Sequence, residues 1–174
     1  MATEERILKQ MINHPFSPVF NEHSKILILG TFPSEKSREF GFYYGHPKNR
    51  FWRIIAYLTK TNPVPTTIKD KKQMLLKNGI ALWDIVKSCD IKGSSDNTIT
   101  NVVPNDLASL LEYSSIKRTF ANGDKAYRLC RNYVVNATKL PSTSPANATY
   151  NFEKLLAKWS IILNKINSHP GKIH

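Results

Sequence analysis

Apolar residues along this chain recur with two different periods, and the alternation between them separates candidate strands from candidate helices. Ile26-Leu27-Ile28-Leu29 is an uninterrupted apolar run closed by Gly30, the pattern of a short strand buried on both faces. Ile80 to Trp83, Ile116 to Ala121 and Ala137 to Leu140 are also short and end in turn-forming or polar residues, so they read as further strands. Between them Phe51, Ile54, Ile55 and Leu58 share one helical face, as do Ala126, Leu129, Cys130 and Tyr133. The clearest helix is the last, where Phe152, Leu155, Leu156, Trp159, Ile162, Leu163 and Ile166 keep helical spacing after a start rich in Pro, Ser and Asn.

Strands that alternate with helices predict an α/β fold, a three-layer α/β/α sandwich around a central, mainly parallel four-stranded sheet. There is no internal repeat or low-complexity stretch, and the longest polar interruptions are 34–41 and 90–101. In such sheets ligands bind beyond the carboxyl ends of the strands. That rule directs attention to 30–50, 84–97, 122–124 and 141–149.

Length and charge narrow the picture. A chain of 174 residues, 41% of them hydrophobic, fits one domain with a sizeable core. Its 25 Lys and Arg against 13 Asp and Glu give a net charge of +12, as expected of a protein that meets a polyanion, although solubility alone is the plainer account. The excess is shared evenly between the parts before and after residue 100, so it describes a folded surface rather than a basic tail. Cys89 and Cys130 form no CxxC pair and have no His at ligand spacing, which argues against zinc and for two reduced thiols. No run is long enough to span a membrane and the N-terminus does not read as a signal peptide, so a soluble intracellular protein is expected. Asn136-Ala-Thr138 and Asn147-Ala-Thr149 match the glycosylation sequon, a pattern common by chance, and are set aside.

Three segments could carry chemistry. In Gly30 to Trp52, Gly30 and Pro33 shape a tight exit from the first strand, and the loop gathers Phe42, Tyr43, Tyr44, His46 and Asn49. Aromatic faces can stack on an unstacked base, but two of these three rings are better read as core. Asn49 stands just ahead of a helix, where a cap is as good a reading as a functional amide. In Leu140 to Asn147, small hydroxyl residues between prolines would let backbone amides approach a phosphate, or would simply form a rigid linker, the better reading when the segment is taken alone. Phe120 to Lys125 reads as strand, turn and helix start with Asp124 as N-cap. Asp84 and Asp96 are candidate acids, though carboxylates at strand ends are more often solvated or capping. No Ser-His-Asp set, phosphate-binding GxxxxGK or HExxH pattern is present.

The strand ILILG, the turn GTFPS, the stretch YYGHPKNRFW and the late LPSTSPAN resemble, in order, the two signature regions of the uracil-DNA glycosylase superfamily. The stretches ALWDIVKSCD and ANGDKA extend the likeness, which is greatest to the hypoxanthine-DNA (deoxyinosine) glycosylase family; GHPKNRFW is also similar to mismatch-specific uracil and thymine glycosylases. One departure matters: the mismatch-specific enzymes carry a water-placing Asn directly before the Pro of the first turn, and here that position is Phe32.

The resemblance implies that Asn49 is the catalytic residue and that Tyr44 stacks on the extruded base, with Gly30, Thr31, Phe32 and Pro33 beside it. It implies that Ser142, Thr143, Ser144 and Asn147 close on the lesion strand, and that His46 and Lys48 shape the loop or contact phosphate. The expected protein is a single glycosylase domain, 1–174, acting as a monomer without cofactor, metal or Schiff-base lysine. Its expected partner is double-stranded DNA with a deaminated base, single-stranded DNA being left open, in the cytoplasm and at the nucleoid rather than at a membrane. Removal of uracil from mismatches, and lesion binding without catalysis given Phe32, stand as alternatives.

Overall fold

The computed structural model describes residues 10–92 and 96–164. Its centre is a four-stranded sheet of β2 (Ile26–Gly30), β3 (Ile80–Asp84), β6 (Arg118–Asn122) and β7 (Thr138–Leu140), in the order β3-β2-β6-β7. Every neighbouring pair is parallel, and Ile28 lies between Leu82 and Phe120. All four strands fall where the apolar runs predict them.

Successive residues of β2 point to opposite faces, and this separates two cores. Ile26 and Ile28 pack with Ile54, Ile55, Leu75, Leu155 and Trp159, from α2 (Phe51–Leu58), α3 (Ile68–Lys77) and α6 (Phe152–Trp159). Leu27 and Leu29 pack with Leu107, Leu110, Ala126 and Cys130, from α4 (Leu107–Glu112) and α5 (Asp124–Cys130). Each face is covered by helices, and β2, β3 and the middle of β6 are buried on both sides, which is why they read as continuous apolar runs, whereas the edge strand β7 buries only Leu140.

A second, antiparallel sheet was not foreseen. It consists of β1 (Gln10–Asn13), β4 (Val86–Ile91) and β5 (Thr100–Pro104), in the order β1-β4-β5. β4 alternates buried Val86, Cys89 and Ile91 with more exposed Lys87, Ser88 and Asp90, so only part of it reaches an apolar cluster. A half-solvated strand in a polar stretch reads as a loop until its partners are known.

Three local expectations need correction. The polar stretch 34–41 holds α1 (Glu35–Phe40), whose N-cap Ser34 accepts a hydrogen bond from the Ser37 amide. Asp124 is the first helical residue of α5 rather than its cap; Gly123 holds that place at a φ of 97°, and Asp124 pairs with Lys139 at 3.0 Å. The final helix stops at Trp159 and tightens into a 3-10 turn, Ser160–Leu163, while Ile166 lies outside the described residues.

Because β3 and β6 flank β2 on opposite sides, the chain reverses its direction of growth at β2. The crevice at the carboxyl ends of β2 and β6 is therefore the place where an open parallel sheet accepts a ligand.

Candidate active site

Gly30 ends β2 at that crevice, and the turn after it is buried through Thr31, Phe32 and Pro33. The Gly30 and Thr31 carbonyls accept from the amides of Ile85 and Val86, at 2.9 and 3.1 Å. The Phe32 ring packs with Val86, Cys89, Ile91 and Ile99 under the antiparallel sheet. Gly30 is needed for space: a Cβ there would collide with Asp84 Oδ1 and stand 3.0 Å from the Tyr44 hydroxyl.

Of the three adjacent aromatics, two are core. Phe42 and Tyr43 are 3% and 1% exposed. Phe42 stacks on Trp52, and Tyr43 donates its hydroxyl proton to the Ser17 carbonyl at 2.9 Å. Burial first, and the neighbouring Asp84 carboxylate second, push the Tyr43 phenol well above its ordinary value. Tyr44 differs. It is half-buried, stacks on Phe51 with centroids 4.2 Å apart, and has a φ of 52°. A bulky side chain in the left-handed region is unusual, and such outliers gather at functional sites.

Asn49 is not the N-cap of α2, a place that Arg50 takes, but it stands one residue before it and its Oδ1 accepts the Phe51 amide at 2.9 Å. That bond fixes the amide at the entrance to α2 and still leaves Oδ1 a second lone pair. His46 shapes the turn: its Nδ1 accepts from the Lys48 amide at 3.0 Å and its carbonyl from the Asn49 amide at 2.9 Å. Lys48 is exposed.

The second segment is tied to the first by a residue the sequence reading passed over, Arg50. Its guanidinium donates to the carbonyls of Ser144 at 2.7 Å, Asn147 at 3.1 Å and Tyr150, and Nε reaches the Thr143 carbonyl at 3.4 Å. The Arg50 amide donates to the same Thr143 carbonyl at 3.1 Å. Burial, and then the charge of Arg53, lower the Arg50 pKa, but a guanidinium remains a cation in a protein.

Asn122, at the end of β6, completes the clamp. It donates to Thr143 Oγ1 and accepts from the Thr143 amide, both at 3.1 Å. Within the segment Ser142 Oγ accepts from the Ser144 amide, Ser144 Oγ from the Ala146 amide, and the Asn147 side chain donates to the Ser142 carbonyl. Thr143 is buried; Ser142, Ser144 and Asn147 are half-buried. The structure thus brings the Gly30 turn, Tyr44, Asn49 and the second segment together at one end of the sheet, whereas the Phe32 side chain turns toward the antiparallel sheet.

Asp84, set aside as a common strand-end acid, ends β3 beside Gly30 and is 3% exposed. Its Oδ2 lies 2.8 Å from His14 Nε2, and both side chains are almost sealed from solvent. A carboxylate directly after a fully apolar strand was the available signal for Asp84. Nothing local marks His14, which arrives from the start of the chain. Asp96 begins a 3-10 turn, Asp96–Thr98.

No His, Cys, Asp and Glu cluster suited to a metal ion occurs among the described residues, and no helix among them is long and apolar enough to cross a membrane.

The model of the Uracil DNA glycosylase superfamily matches residues 17–165. A hypoxanthine DNA glycosylase of Methanosarcina acetivorans is 35% identical over 145 residues, covering 81% of this chain and 92% of the relative. One of Methanosarcina barkeri is 32% identical over 112 residues, covering 64% of this chain and 71% of that one. A solution NMR structure from Methanosarcina acetivorans, described as a candidate uracil DNA glycosylase, superposes with a TM-score of 0.74 at 31% identity, covering 88% of this chain and 96% of that one.

Proposed function

We propose a reaction from one premise: this chain belongs to the uracil-DNA glycosylase superfamily. It is a DNA glycosylase that hydrolyses the bond between hypoxanthine and deoxyribose, the base named for both curated relatives. The observation that carries the reading is the Arg50 clamp, which joins the Asn49 entrance of α2 to the second segment at the reversal point of the sheet.

A base inside a duplex must rotate out of the stack before its glycosidic bond can be reached, which costs least for a mismatched pair such as one containing deoxyinosine. Tyr44, backed by Phe51, offers the stacking face, and the Gly30 turn bounds the base. Asn49, fixed by its bond to the Phe51 amide, orients the attacking water toward C1′ as the bond to the purine lengthens. Nearby backbone amides stabilise the departing base. Ser142, Thr143, Ser144 and Asn147 hold the lesion strand, with His46 and Lys48 on its phosphates. The protein works as one domain and as a monomer, on double-stranded DNA in the cytoplasm and at the nucleoid, with single-stranded DNA as a second form.

The test is incubation with duplexes carrying inosine, uracil, xanthine or a thymine mismatch, followed by alkaline cleavage of abasic products. Strand scission at inosine is expected. Scission confined to uracil would reassign the substrate, and retained lesion binding without scission at any base would leave a binding protein on this fold. The charge of +12 further predicts binding that weakens steeply with salt through counterion release.

A further inference from the structure

The outer surface of α2 and α6 has no part in the mechanism above. Both helices begin at the candidate site, α2 after Asn49 and Arg50 and α6 after the second segment, and they pack against each other. Two cavities open beside α6. One, of about 450 Å³, lies between the two helices and is lined by Arg53, Tyr57 and Lys60 from the side of α2 and Phe152 from α6. The other, of about 380 Å³, is lined by Tyr150, Lys154 and Lys158. Neither lining includes a carboxylate, and none of the four cations forms an ion pair among the described residues. Glu153, in the first turn of α6, lines neither cavity. Tyr57 is 65% exposed. Its ring meets Phe152 edge-on with centroids 6.4 Å apart, and the Arg53 guanidinium lies over the Phe152 ring at 4.3 Å. A guanidinium stacked on a ring keeps its N–H edge for an anion. The Tyr150 carbonyl accepts from Arg50, so this surface is tied to the clamp that joins the two halves of the site.

We propose that this surface is a track for an unpaired stretch of DNA flanking the lesion, with Tyr57 stacking on a base and Arg53, Lys60, Lys154 and Lys158 meeting phosphates. The proposal rests on the glycosylase reading and deepens it by giving a place to the strand beyond the target nucleotide. Cations alone would suit any polyanion. An exposed aromatic face among them selects an unpaired strand, because bases inside a duplex present no free face, and rings interleaved with cations are the general means of holding single strands. The spacing fits as well. At 1.5 Å per residue α2 carries Tyr57 about 9 Å along its axis from Phe51, on which Tyr44 rests. That distance is roughly three steps of a stacked strand at ~3.4 Å each.

The experiment measures, by fluorescence anisotropy, binding to inosine duplexes that are blunt or carry a short thymidine tail at the 5′ or the 3′ end of the lesion strand. A further pair of duplexes carries tails of abasic spacers, which keep the phosphates and lack the bases. A 2′-fluoro sugar at the lesion resists cleavage by destabilising the oxocarbenium-like state. Stacking of one base on tyrosine corresponds to roughly fivefold or more in affinity, so a thymidine tail at one of the two ends should tighten wild-type binding by about that factor over the abasic tail. Tyr57→Ala should bring the two tails level. Lys60→Gln and Lys154→Gln should each lower the salt slope for the tailed duplex by about 0.7, the value of one contact to a single strand. All three side chains are exposed, and binding to the blunt duplex should be unchanged in each variant, which verifies the fold. Equal wild-type affinity for blunt and tailed duplexes overturns the proposal, as does a thymidine gain that survives Tyr57→Ala. Failure of the wild type to release hypoxanthine from an ordinary blunt duplex would instead defeat the glycosylase reading, so the two failures are told apart.

Discussion

Residues 42–44 are held by ring packing, whereas residues 142–147 are held by hydrogen bonds to peptide groups. In the first segment Phe42 and Tyr43 sink into the core and Tyr44 rests on Phe51. In the second, Arg50 gathers the carbonyls of Thr143, Ser144, Asn147 and Tyr150, and Asn122 grips Thr143. Packing is shared among many contacts and tolerates small changes. A network centred on one guanidinium is vulnerable at that one point. The two halves of the site therefore fail in different ways.

The largest expected effect is at Asn49, which belongs to neither mode of support. Asn49→Ala removes one hydrogen bond at the helix entrance, worth ~1 kcal/mol, yet base release should fall by about a hundredfold or more, the scale of a lost catalytic group. Single-turnover release together with thermal melting separates the two; near-normal excision would reduce Asn49 to a brace of the Phe51 amide.

Breaking the clamp comes next. Arg50→Met should cost roughly 1.5–3 kcal/mol of stability, the worth of hydrogen bonds from a charged donor, and should weaken lesion-DNA binding while the aromatic packing persists. Urea denaturation and fluorescence anisotropy measure the two quantities. A variant indistinguishable from wild type in both would show that Asn122 and Asn147 suffice to hold the second segment.

On the packed side, Tyr44→Ala should lose about 1–3 kcal/mol of binding to lesion DNA, and Tyr44→Phe should be mild. If both unfold the protein to the same extent, Tyr44 belongs with the core, as Phe42 and Tyr43 do.

The smallest effect concerns pH. The Tyr43 phenol has its pKa raised by folding, so it favours the folded state below its ordinary value of 10.0 and loses that contribution as pH climbs from there toward the folded value. The melting temperature of the wild type should therefore decline above about pH 10. Tyr43→Phe, which sacrifices one neutral hydrogen bond worth about 1 kcal/mol, should melt lower at pH 7 but decline less on the alkaline side. Cys130, whose thiol burial pushes up to about 11, adds to the slope in both proteins. Parallel declines would assign the alkaline loss to groups other than Tyr43.

The chain itself determined the central sheet, because β2, β3 and the middle of β6 are short apolar runs buried on both faces, a property carried by consecutive residues, while the edge strand β7 buries only Leu140. It also determined the segments that would stand at the carboxyl ends of those strands, with Tyr44 and Asn49 among them. The antiparallel sheet was hidden because β1, β4 and β5 are partly solvated and pair with strands distant in the chain. α1 was hidden because its six residues are mostly polar and lean on the Ser34 cap. The polar wiring of the site was decided by tertiary structure alone. His14 meets Asp84 across 70 positions and Arg50 meets Ser144 across 94, and directional contacts between groups so far apart leave no period in the sequence. Hydrophobic burial is written locally, as a pattern of neighbours, whereas a hydrogen bond between distant side chains exists only once the backbone has brought them within 3 Å.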